Sequence, residues 1–490
     1  MLTKIGVASR APGGKMHTRT DRRPNFIFFN PDELRADAVH HLDGRPVQTP
    51  NMDRLAAQGV TFSRCFVPNT VCTPSRCSLM TGWYPHVRGH RTLWHMLQPH
   101  EPNLLRYLKQ AGYQVIWHGK NDLLAPDSFA ASVSYRCANQ SPRPMFPPNP
   151  WPPEHRLYRS FYYGCRGDGP YVDSDAMHVQ EAVDLLREPP AEPFFLYLPL
   201  TFPHPPYTVE EPYFSLHDRA LVRDPLPALL DDKPHFMRVL HQAYRTSSLS
   251  DAERREIVAT YWGMVARVDD QLGVLLDALD RSPVADNTVV VVTSDHGDYV
   301  GDYGIVEKWP TGFQDCLTRV PLIWRLPGAR GARRVDALAE SIDFMPTVLE
   351  LAGVTARHDH FGRSLLPLMR GETDRHRDAV FCEGGHGPTE MQSIEPLFPA
   401  ESIYHEKTRA QQEDPSTVAK AVMVRTERWK YVARLVGGDE LYDLAEDPDE
   451  LANRVDDPGL REVQAELKER LLRWMIETSD EVPMHQDPRR

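Results

Sequence analysis

Cysteine is scarce in this 490-residue chain, and no long apolar run occurs in it. The seven cysteines are unevenly spaced and include no Cys-x-x-Cys pair, which excludes a disulfide framework. No run approaches the ~18 apolar residues of a membrane-spanning helix, so we expect no membrane segment. The net charge of −12 argues against a nucleic-acid partner. An anionic substrate would therefore have to be attracted by a local basic site.

The amino terminus also lacks the features of a secretory signal. Residues 1–24 are basic and irregular, with no apolar central stretch. We interpret them as a disordered basic tail and expect a cytoplasmic protein. A secreted form whose signal has already been removed is the alternative.

The pattern of predicted strands and helices changes near residue 376. A chain of this length has more residues than one hydrophobic core usually accommodates, so we expect a large domain and a smaller one. Over 25–375, buried strands alternate with helices, which predicts an α/β domain with a mostly parallel or mixed central sheet sandwiched by helices. Over 376–490, short strands and a final amphipathic helix predict a smaller antiparallel sheet with a packed helix.

Apolar runs and capping residues predict the individual elements. The predicted strands are 25–30, 113–117, 193–198, 287–293, 320–324, 421–425, 430–433 and 440–444. The predicted helices are 50–59, 101–110, 173–187, 250–279 and one that follows Asp457-Pro458. A proline-rich loop is predicted over 138–155, and an irregular insertion over 383–420.

Potential metal ligands follow two of the predicted strands. Asp32 comes directly after the first strand, and Asp295 and His296 come after the four-valine strand. In open α/β sheets, ligands bind at the carboxyl ends of the strands. The pattern therefore predicts that these side chains lie at the same edge of the sheet.

Residues 72–76 read Cys-Thr-Pro-Ser-Arg and residues 77–82 read Cys-Ser-Leu-Met-Thr-Gly. This segment resembles the motif that directs oxidation of a cysteine to formylglycine in sulfatases. The resemblance implies that Cys72 becomes an aldehyde, whose hydrate is a geminal diol and an oxygen nucleophile. We expect Cys72 at the start of a helix through Leu79, a position that favours an anion. Cys72 does not match the Cys-x5-Arg motif of thiol phosphatases, because Ser78 stands where the arginine would be.

Further segments resemble those of the sulfatase branch of the alkaline phosphatase superfamily and follow in the same order. Together with the Cys72 motif they extend the resemblance to most of residues 25–480. These segments are 50–59, Gly119-Lys120, 202–207, 293–297, Glu307-Lys308, 319–322, 343–347 and 441–448.

The resemblance implies one divalent cation held by Asp32, Asp295, His296 and the modified Cys72. Carboxylate oxygens suit a hard ion better than zinc. We expect calcium, with manganese or magnesium as alternatives.

The resemblance also implies a set of catalytic residues. Arg76, Lys120 and Lys308 would hold the sulfuryl or phosphoryl oxygens. One diol oxygen attacks sulfur, His204, alone or with Lys308, protonates the leaving alcohol, and the second hydroxyl then expels the sulfate. The expected partners are a small-molecule or carbohydrate sulfate ester and the enzyme that generates formylglycine at Cys72. A homo-oligomer is an open alternative.

Three departures from the common sulfatase pattern keep a second substrate class open. One aspartate, Asp32, follows the first strand where many sulfatases have two, Asp122 replaces a common histidine, and Asp295-His296 replaces Asp-Asn. These features resemble the phosphonate monoester hydrolases and their related arylsulfatases. Hydrolysis of phosphonate monoesters or phosphodiesters by the same residues is therefore the alternative function.

Two other classes of protein use the same segment differently. A binding or structural subunit would keep Cys72 unoxidised, but the retained ligand and cation pattern argues against it. A serine- or threonine-based phosphatase would need Thr73 or Ser75 as nucleophile, and their spacing gives no reason to prefer them.

Two polar segments are predicted to have no catalytic role. His86 and His90 have the spacing of a zinc pair, but they lie in a Pro- and Gly-containing stretch without a partner cysteine. The charges of 405–414, including Lys407 and Arg409, are predicted to form a solvated loop.

Overall fold

The computed structural model describes residues 22–137, 141–228, 231–329 and 331–482. Residues 1–21 of the predicted basic tail lie outside this part of the chain. Three residues of the predicted proline-rich loop, 138–140, lie outside it as well. Its other residues, 141–155, form neither helix nor strand.

The described residues form strands and helices in alternation along most of the chain. The strands are β1 (Asn25–Pro31), β2 (Val60–Phe66), β3 (Gln114–Trp117), β4 (Tyr135–Arg136), β5 (Tyr162–Asp168), β6 (Phe194–Leu200), β7 (Tyr207–Glu211), β8 (Thr288–Thr293), β9 (Arg319–Arg325), β10 (Arg333–Val335), β11 (Ala339–Glu340), β12 (Val380–Gly384), β13 (Ala421–Arg425), β14 (Trp429–Arg434) and β15 (Glu440–Asp443). The helices are α1 (His40–Asp43), α2 (Pro50–Ala57), α3 (Cys72–Thr81), α4 (Pro85–Arg88), α5 (Leu104–Gln110), α6 (Phe129–Ser132), α7 (Ser174–Arg187), α8 (His235–Ala243), α9 (Asp251–Asp280), α10 (Asp315–Thr318), α11 (Phe344–Ala352), α12 (Leu366–Arg370), α13 (His405–Glu413) and α14 (Arg461–Thr478).

A mixed sheet forms the centre of the molecule, as predicted. Its strand order is β10-β2-β9-β8-β1-β6-β3-β4, with β11 paired to β2. The strands β8, β1, β6, β3 and β4 run parallel, whereas β9 is antiparallel to both of its neighbours. The parallel strands therefore end at one edge, where the predicted ligands lie.

Helices cover both faces of this sheet. On one face, Ile27 and Phe29 pack in a core with residues of α2, α7 and α9. On the other face, Phe26 and Phe28 pack with residues of α3, α5 and α11. The alternation of side chains along β1 thus divides it between two cores, which explains its uninterrupted apolar sequence.

A second, antiparallel sheet of order β12-β13-β14-β15 lies toward the carboxyl end. Leu467, Leu471 and Trp474 of α14 are buried against its side chains, among them Tyr431. The predicted amphipathic helix on an antiparallel sheet is therefore confirmed. The predicted division into domains at 375/376 stays a prediction.

Some elements differ from the predictions. The helix predicted over 101–110 begins only at Leu104, because the Asn103 side chain caps it by accepting the Arg106 N–H at 2.9 Å. Strand β2 was not predicted. The segment 383–420 is not wholly irregular, since it contains α13. Within the described residues, no helix combines the length and the apolar composition that crossing a membrane requires.

Candidate active site

Four side chains meet at the carboxyl edge of the central sheet. Asp32 follows β1, Asp295 and His296 follow β8, and Cys72 is the first residue of α3. All four are buried, and one potential ligand atom from each lies within 4.8 Å of the others. Cys72 Sγ lies 3.2 Å from His296 Nε2 and 3.6 Å from Asp32 Oδ1. The structure thus brings together the four residues predicted as metal ligands.

A backbone contact orients the imidazole of His296. Its Nδ1 lies 2.9 Å from the Gly297 carbonyl oxygen and donates to it. That bond leaves Nε2 as the acceptor nitrogen, and Nε2 lies 3.8 Å from a carboxylate oxygen of both Asp32 and Asp295. This is the arrangement that a metal-binding histidine requires.

Arg76 joins the two aspartates. Its Nε donates to Asp295 Oδ2 at 2.8 Å, and Nη2 donates to Asp32 Oδ2 at 3.0 Å. The third contact, at 3.0 Å, is to the hydroxyl of Tyr197 on β6. The Arg76 side chain is 1% exposed. Its observed contacts hold the aspartates, and its predicted role in holding substrate oxygens stays a prediction.

Lys120 contacts the same oxygen of Asp32 as Arg76 does. Its ammonium contacts Asp32 Oδ2 and also Asp122 Oδ2 at 2.7 Å. Burial alone would raise the pKa of Asp32, but Lys120 and Arg76 hold it well below its usual range. Asp32 is therefore ionised, as a metal-binding carboxylate must be.

The loop before α3 fixes the position of Cys72. Val71 is extended, and its N–H donates to Asn69 Oδ1 at 2.8 Å. The Ser75 hydroxyl binds the Asp295 carbonyl oxygen at 2.5 Å, which ties α3 to the end of β8. Burial, and then the charge of Asp32, raise the pKa of the Cys72 thiol well above its usual range. The unmodified thiol is consequently a poor nucleophile.

A second group of polar residues lies beside Asp32. Lys308 Nζ lies 2.7 Å from Glu33 Oε2 and 3.0 Å from His204 Nε2. The Nδ1 of His204 donates to the Pro205 carbonyl oxygen at 2.6 Å, so Nε2 accepts from Lys308. Burial and the Lys308 charge lower the pKa of His204 well below its usual range. Burial alone would lower the pKa of Lys308, but the acidic groups around it, Cys72 first and then Glu307 and Glu33, raise it well above its usual range, while burial raises the pKa of Glu33 itself.

Two residues of this group were missed or misjudged in the sequence. Lys407, predicted to lie in a solvated loop, is buried on α13 and contacts both carboxylate oxygens of Glu307, at 2.8 and 3.0 Å. Glu307 in turn lies 3.0 Å from Lys308. Nothing in the local pattern of 405–414 marks Lys407 as buried. The adjacent pair Glu307-Lys308 was the available signal for Glu307.

Two local features position the loops that carry Lys120 and His204. Gly119 has φ +153°, and a Cβ there would meet the Pro199 carbonyl oxygen at 2.1 Å, so no larger residue fits beside β6. Asp175 on α7 accepts the backbone N–H groups of Thr201 and Phe202 at 2.9 to 3.0 Å. These contacts fix both loops against the central sheet.

Two family models together match most of the chain. The model described as "Sulfatase" matches residues 24–354. The model described as "N-sulphoglucosamine sulphohydrolase, C-terminal" matches residues 384–477.

Individual proteins are similar over nearly the whole length. The uncharacterized sulfatase YidJ of Escherichia coli is 28% identical, over 94% of this chain and 88% of its own. The multifunctional alkaline phosphatase superfamily protein PehA of Trinickia caryophylli is 26% identical, over 94% and 97%. The crystal structure of the phosphonate monoester hydrolase of Agrobacterium radiobacter superimposes with a TM-score of 0.72 at 25% identity, covering 93% of this chain and 96% of that one.

Proposed function

This chain belongs to the sulfatase family, a family of hydrolases, and we propose that it cleaves sulfate esters with a hydrated formylglycine derived from Cys72 and one bound divalent cation. The observation that carries the proposal is the cluster of Asp32, Cys72, Asp295 and His296 within 4.8 Å, next to the intact oxidation motif. The overall reaction adds water across the ester and yields an alcohol and sulfate.

The donor set fits a hard divalent cation. Asp32 and Asp295 offer carboxylate oxygens, and His296 presents its acceptor nitrogen. We propose Ca²⁺ as the ion, with Mn²⁺ or Mg²⁺ as alternatives, because oxygen ligands dominate. When bound, the ion would lower the pKa of a hydroxyl at residue 72 and polarise the ester oxygens. Arg76 acts here as a positioning residue, since it holds both carboxylates in place.

Oxidised residue 72 would supply a geminal diol, an oxygen nucleophile that the buried thiol is not. We propose that a formylglycine-generating enzyme oxidises Cys72. Because Cys72 is 3% exposed in the folded chain, this enzyme would have to act on the segment before the chain folds. The first turn of α3 then presents backbone N–H groups and the positive end of its dipole toward the anionic substrate.

The charges of the site favour an anion once the cation is bound. Each of the four buried or half-buried cations Arg76, Lys120, Lys308 and Lys407 already contacts a carboxylate. They face five carboxylates, so a divalent ion turns an excess of at most one negative charge into an excess of positive charge. A sulfate ester or phosphonate monoester, each with one negative charge, would be attracted by that excess.

We assign proton transfer to the leaving alcohol to the pair of Lys308 and His204. The lowered pKa of His204 keeps its imidazole neutral, and the raised pKa of Lys308 keeps its amine charged. Lys308 is thus the group that holds a proton, and His204 orients it through the 3.0 Å contact. Transfer of this proton from Lys308 to the ester oxygen, as the S–O bond breaks, would leave the Lys308 amine neutral.

A second candidate function is hydrolysis of phosphonate monoesters or phosphodiesters. The similarity to the Agrobacterium phosphonate monoester hydrolase supports it. So does Asp122, which contacts Lys120 at 2.7 Å where many sulfatases carry a histidine. An acid at this position neutralises Lys120 rather than adding a donor for a sulfate oxygen.

The test compares one aryl sulfate with the matching aryl phosphonate monoester on a single preparation. We expect a higher kcat/KM for the sulfate. A higher value for the phosphonate would replace the first function with the second.

Cys72→Ala serves as the blank, and Cys165→Ala, at an exposed cysteine away from the site, is the matched control. We expect Cys72→Ala to fold and to have no turnover, while Cys165→Ala keeps it. Mass spectrometry of the peptide that contains residue 72 reports its oxidation. An active Cys72→Ala enzyme would overturn the formylglycine mechanism.

A further inference from the structure

A second cluster of metal-ligand side chains lies at the open edge of the central sheet, away from Cys72. One ligand atom each of Cys137, His178 and Glu181 lies within 4.8 Å of the others. His118 Nδ1 lies 3.8 Å from Glu181 Oε2, and His178 Nδ1 lies 4.0 Å from the same oxygen. We propose that Cys137, His178 and Glu181, with His118 as fourth ligand, bind a divalent ion of the Zn²⁺ type.

The sheet register brings two of these ligands together. Trp117 pairs with Arg136 across β3 and β4, so His118 and Cys137 directly follow the ends of the two strands. The Cys137 N–H donates to the Trp117 carbonyl oxygen at 3.1 Å, which extends the ladder to that point. Opposite residues of parallel strands face the same side of a sheet, so these two side chains lie together.

Helix α7 supplies the other two ligands from that side. Ile116 and His118 are two residues apart, so their side chains point to the same face of the sheet. Ile116 packs in the core that contains Val179 of α7. His178 and Glu181 are three residues apart on α7 and therefore project from one face of it. The four side chains converge from three elements, which is typical of a built site rather than of a polar surface.

His118 provides the second observation that indicates a ligand. Its side chain is 4% exposed, and among the described residues its ring nitrogens have no partner at ordinary hydrogen-bond geometry, only the Glu181 carboxylate at 3.8 Å and a backbone contact at His178. Leaving both nitrogens of a buried imidazole unsatisfied costs free energy that a bound ion would remove.

The spacings and donor types select the ion. Bond lengths of about 2.0 to 2.3 Å in a tetrahedron place ligand atoms roughly 3.3 to 3.8 Å apart. The distances of 3.8 and 4.0 Å from His118 and His178 to Glu181 Oε2 are close to this range, whereas His118 lies outside the three-residue group and would have to turn toward Cys137 and His178 when the ion binds. A thiolate and two imidazoles favour Zn²⁺ or Co²⁺ over Ca²⁺ or Mg²⁺. Binding would release the Cys137 proton to solvent and would join β3, β4 and α7.

The experiment uses Co²⁺ as the probe in the full-length Cys72→Ala protein, so that residue 72 contributes no sulfur. We expect a thiolate-to-Co²⁺ charge-transfer band at one equivalent of metal, which excess Ca²⁺ does not remove and Zn²⁺ does. Adding Cys137→Ser should abolish the band, whereas adding Cys165→Ser, at an exposed cysteine, should leave it unchanged.

A second variant keeps the test independent of how Cys137→Ser folds. In the same background, His178→Gln should weaken Co²⁺ binding by more than about tenfold, and Zn²⁺ should no longer raise the Tm. His235→Gln, at an exposed histidine of α8, is the matched control. The proposal is overturned if the Cys72→Ala protein gives no thiolate band, or if the band survives Cys137→Ser.

Discussion

At the scale of single residues, the contacts of Lys308 predict how its loss depends on the leaving group. Because Lys308 holds the proton in its pair with His204, Lys308→Ala should remove acid assistance. We expect kcat/KM to fall about 10²–10⁴-fold for esters of poorly acidic alcohols and much less for esters of acidic phenols. A series of aryl sulfates with different leaving-group pKa values measures this.

The control for Lys308→Ala is Lys420→Ala, which removes a half-exposed lysine paired with Glu390. It should leave the dependence on leaving group unchanged. Equal losses for good and poor leaving groups in Lys308→Ala would contradict an acid role and would indicate that Lys308 only binds the anion.

Lys407 on α13 contacts the catalytic group indirectly, because it pairs with Glu307, which in turn contacts Lys308. Lys407→Met would leave Glu307 with Lys308 as its remaining cation, and the pull on Lys308 would weaken its contacts with Glu33 and His204. We expect a lower kcat and a free energy of unfolding reduced by about 3 kcal/mol, the typical cost of breaking a buried ion pair.

Lys420→Met tests the specificity of that effect, because its ion pair is half-exposed and belongs to the same part of the chain. Its cost should stay below about 1 kcal/mol. If Lys407→Met behaved like Lys420→Met in both kcat and stability, Lys407 would have no part in holding the site.

At the scale of elements, a carboxylate from α9 caps the start of α2. Asp269 accepts the N–H groups of Asn51 and Met52 at 2.9 and 2.8 Å, whereas Thr49 makes no side-chain cap bond to α2. Burial raises the pKa of Asp269 from 3.8 to about 6. The stability contributed by the neutral carboxyl is therefore fully present below pH 3.8 and is lost as the pH rises through about 6.

Asp269→Asn removes this titration and predicts a pH-dependent difference. The free energy of unfolding of the wild type, minus that of the variant, should fall by roughly 2 to 3 kcal/mol between pH 4 and pH 7. Denaturant unfolding at both pH values measures it. A constant difference for Asp269→Asn would show that this carboxyl titrates normally in the folded chain.

The elements also differ in how far the sequence could predict them. Strand β8 was predictable because four consecutive valines are buried on both faces of the sheet. Strand β2 was not, because Val60–Phe66 contains Thr, Ser and Arg and its neighbours β9 and β10 lie more than 250 residues away in the chain. Its polar residues are explained only by that distant pairing.

The same distinction holds for the candidate site. Asp32, Cys72, Asp295 and His296 were predictable because strand ends and a local motif mark them. The pairing of Lys407 with Glu307 joins residues 100 positions apart, and no local pattern marks which lysine of a polar segment is buried. The cluster of His118 and Cys137 likewise depends on the register of β3 with β4.

At the scale of the whole molecule, catalysis and folding should depend differently on the divalent cation. Asp32 and Asp295 are buried carboxylates, but Arg76 contacts both of them, and Lys120 contacts Asp32, without any ion. Chelation should therefore abolish turnover and lower the Tm only slightly. By contrast, Arg76→Met leaves two buried carboxylates short of a partner and should cost about 3 to 5 kcal/mol of stability.

This last prediction is measured in the Cys137→Ser variant, so that an ion at the sheet edge contributes nothing to the Tm. After dialysis against a chelator, activity and thermal unfolding are recorded, and Ca²⁺, Mn²⁺ and Mg²⁺ are then added back separately. We expect Ca²⁺ to restore the most activity, because carboxylate oxygens dominate the donor set. A chelated protein that unfolds would mean that the ion, and not Arg76, holds the two aspartates together. A chelated protein that keeps full turnover would contradict the metal-assisted mechanism.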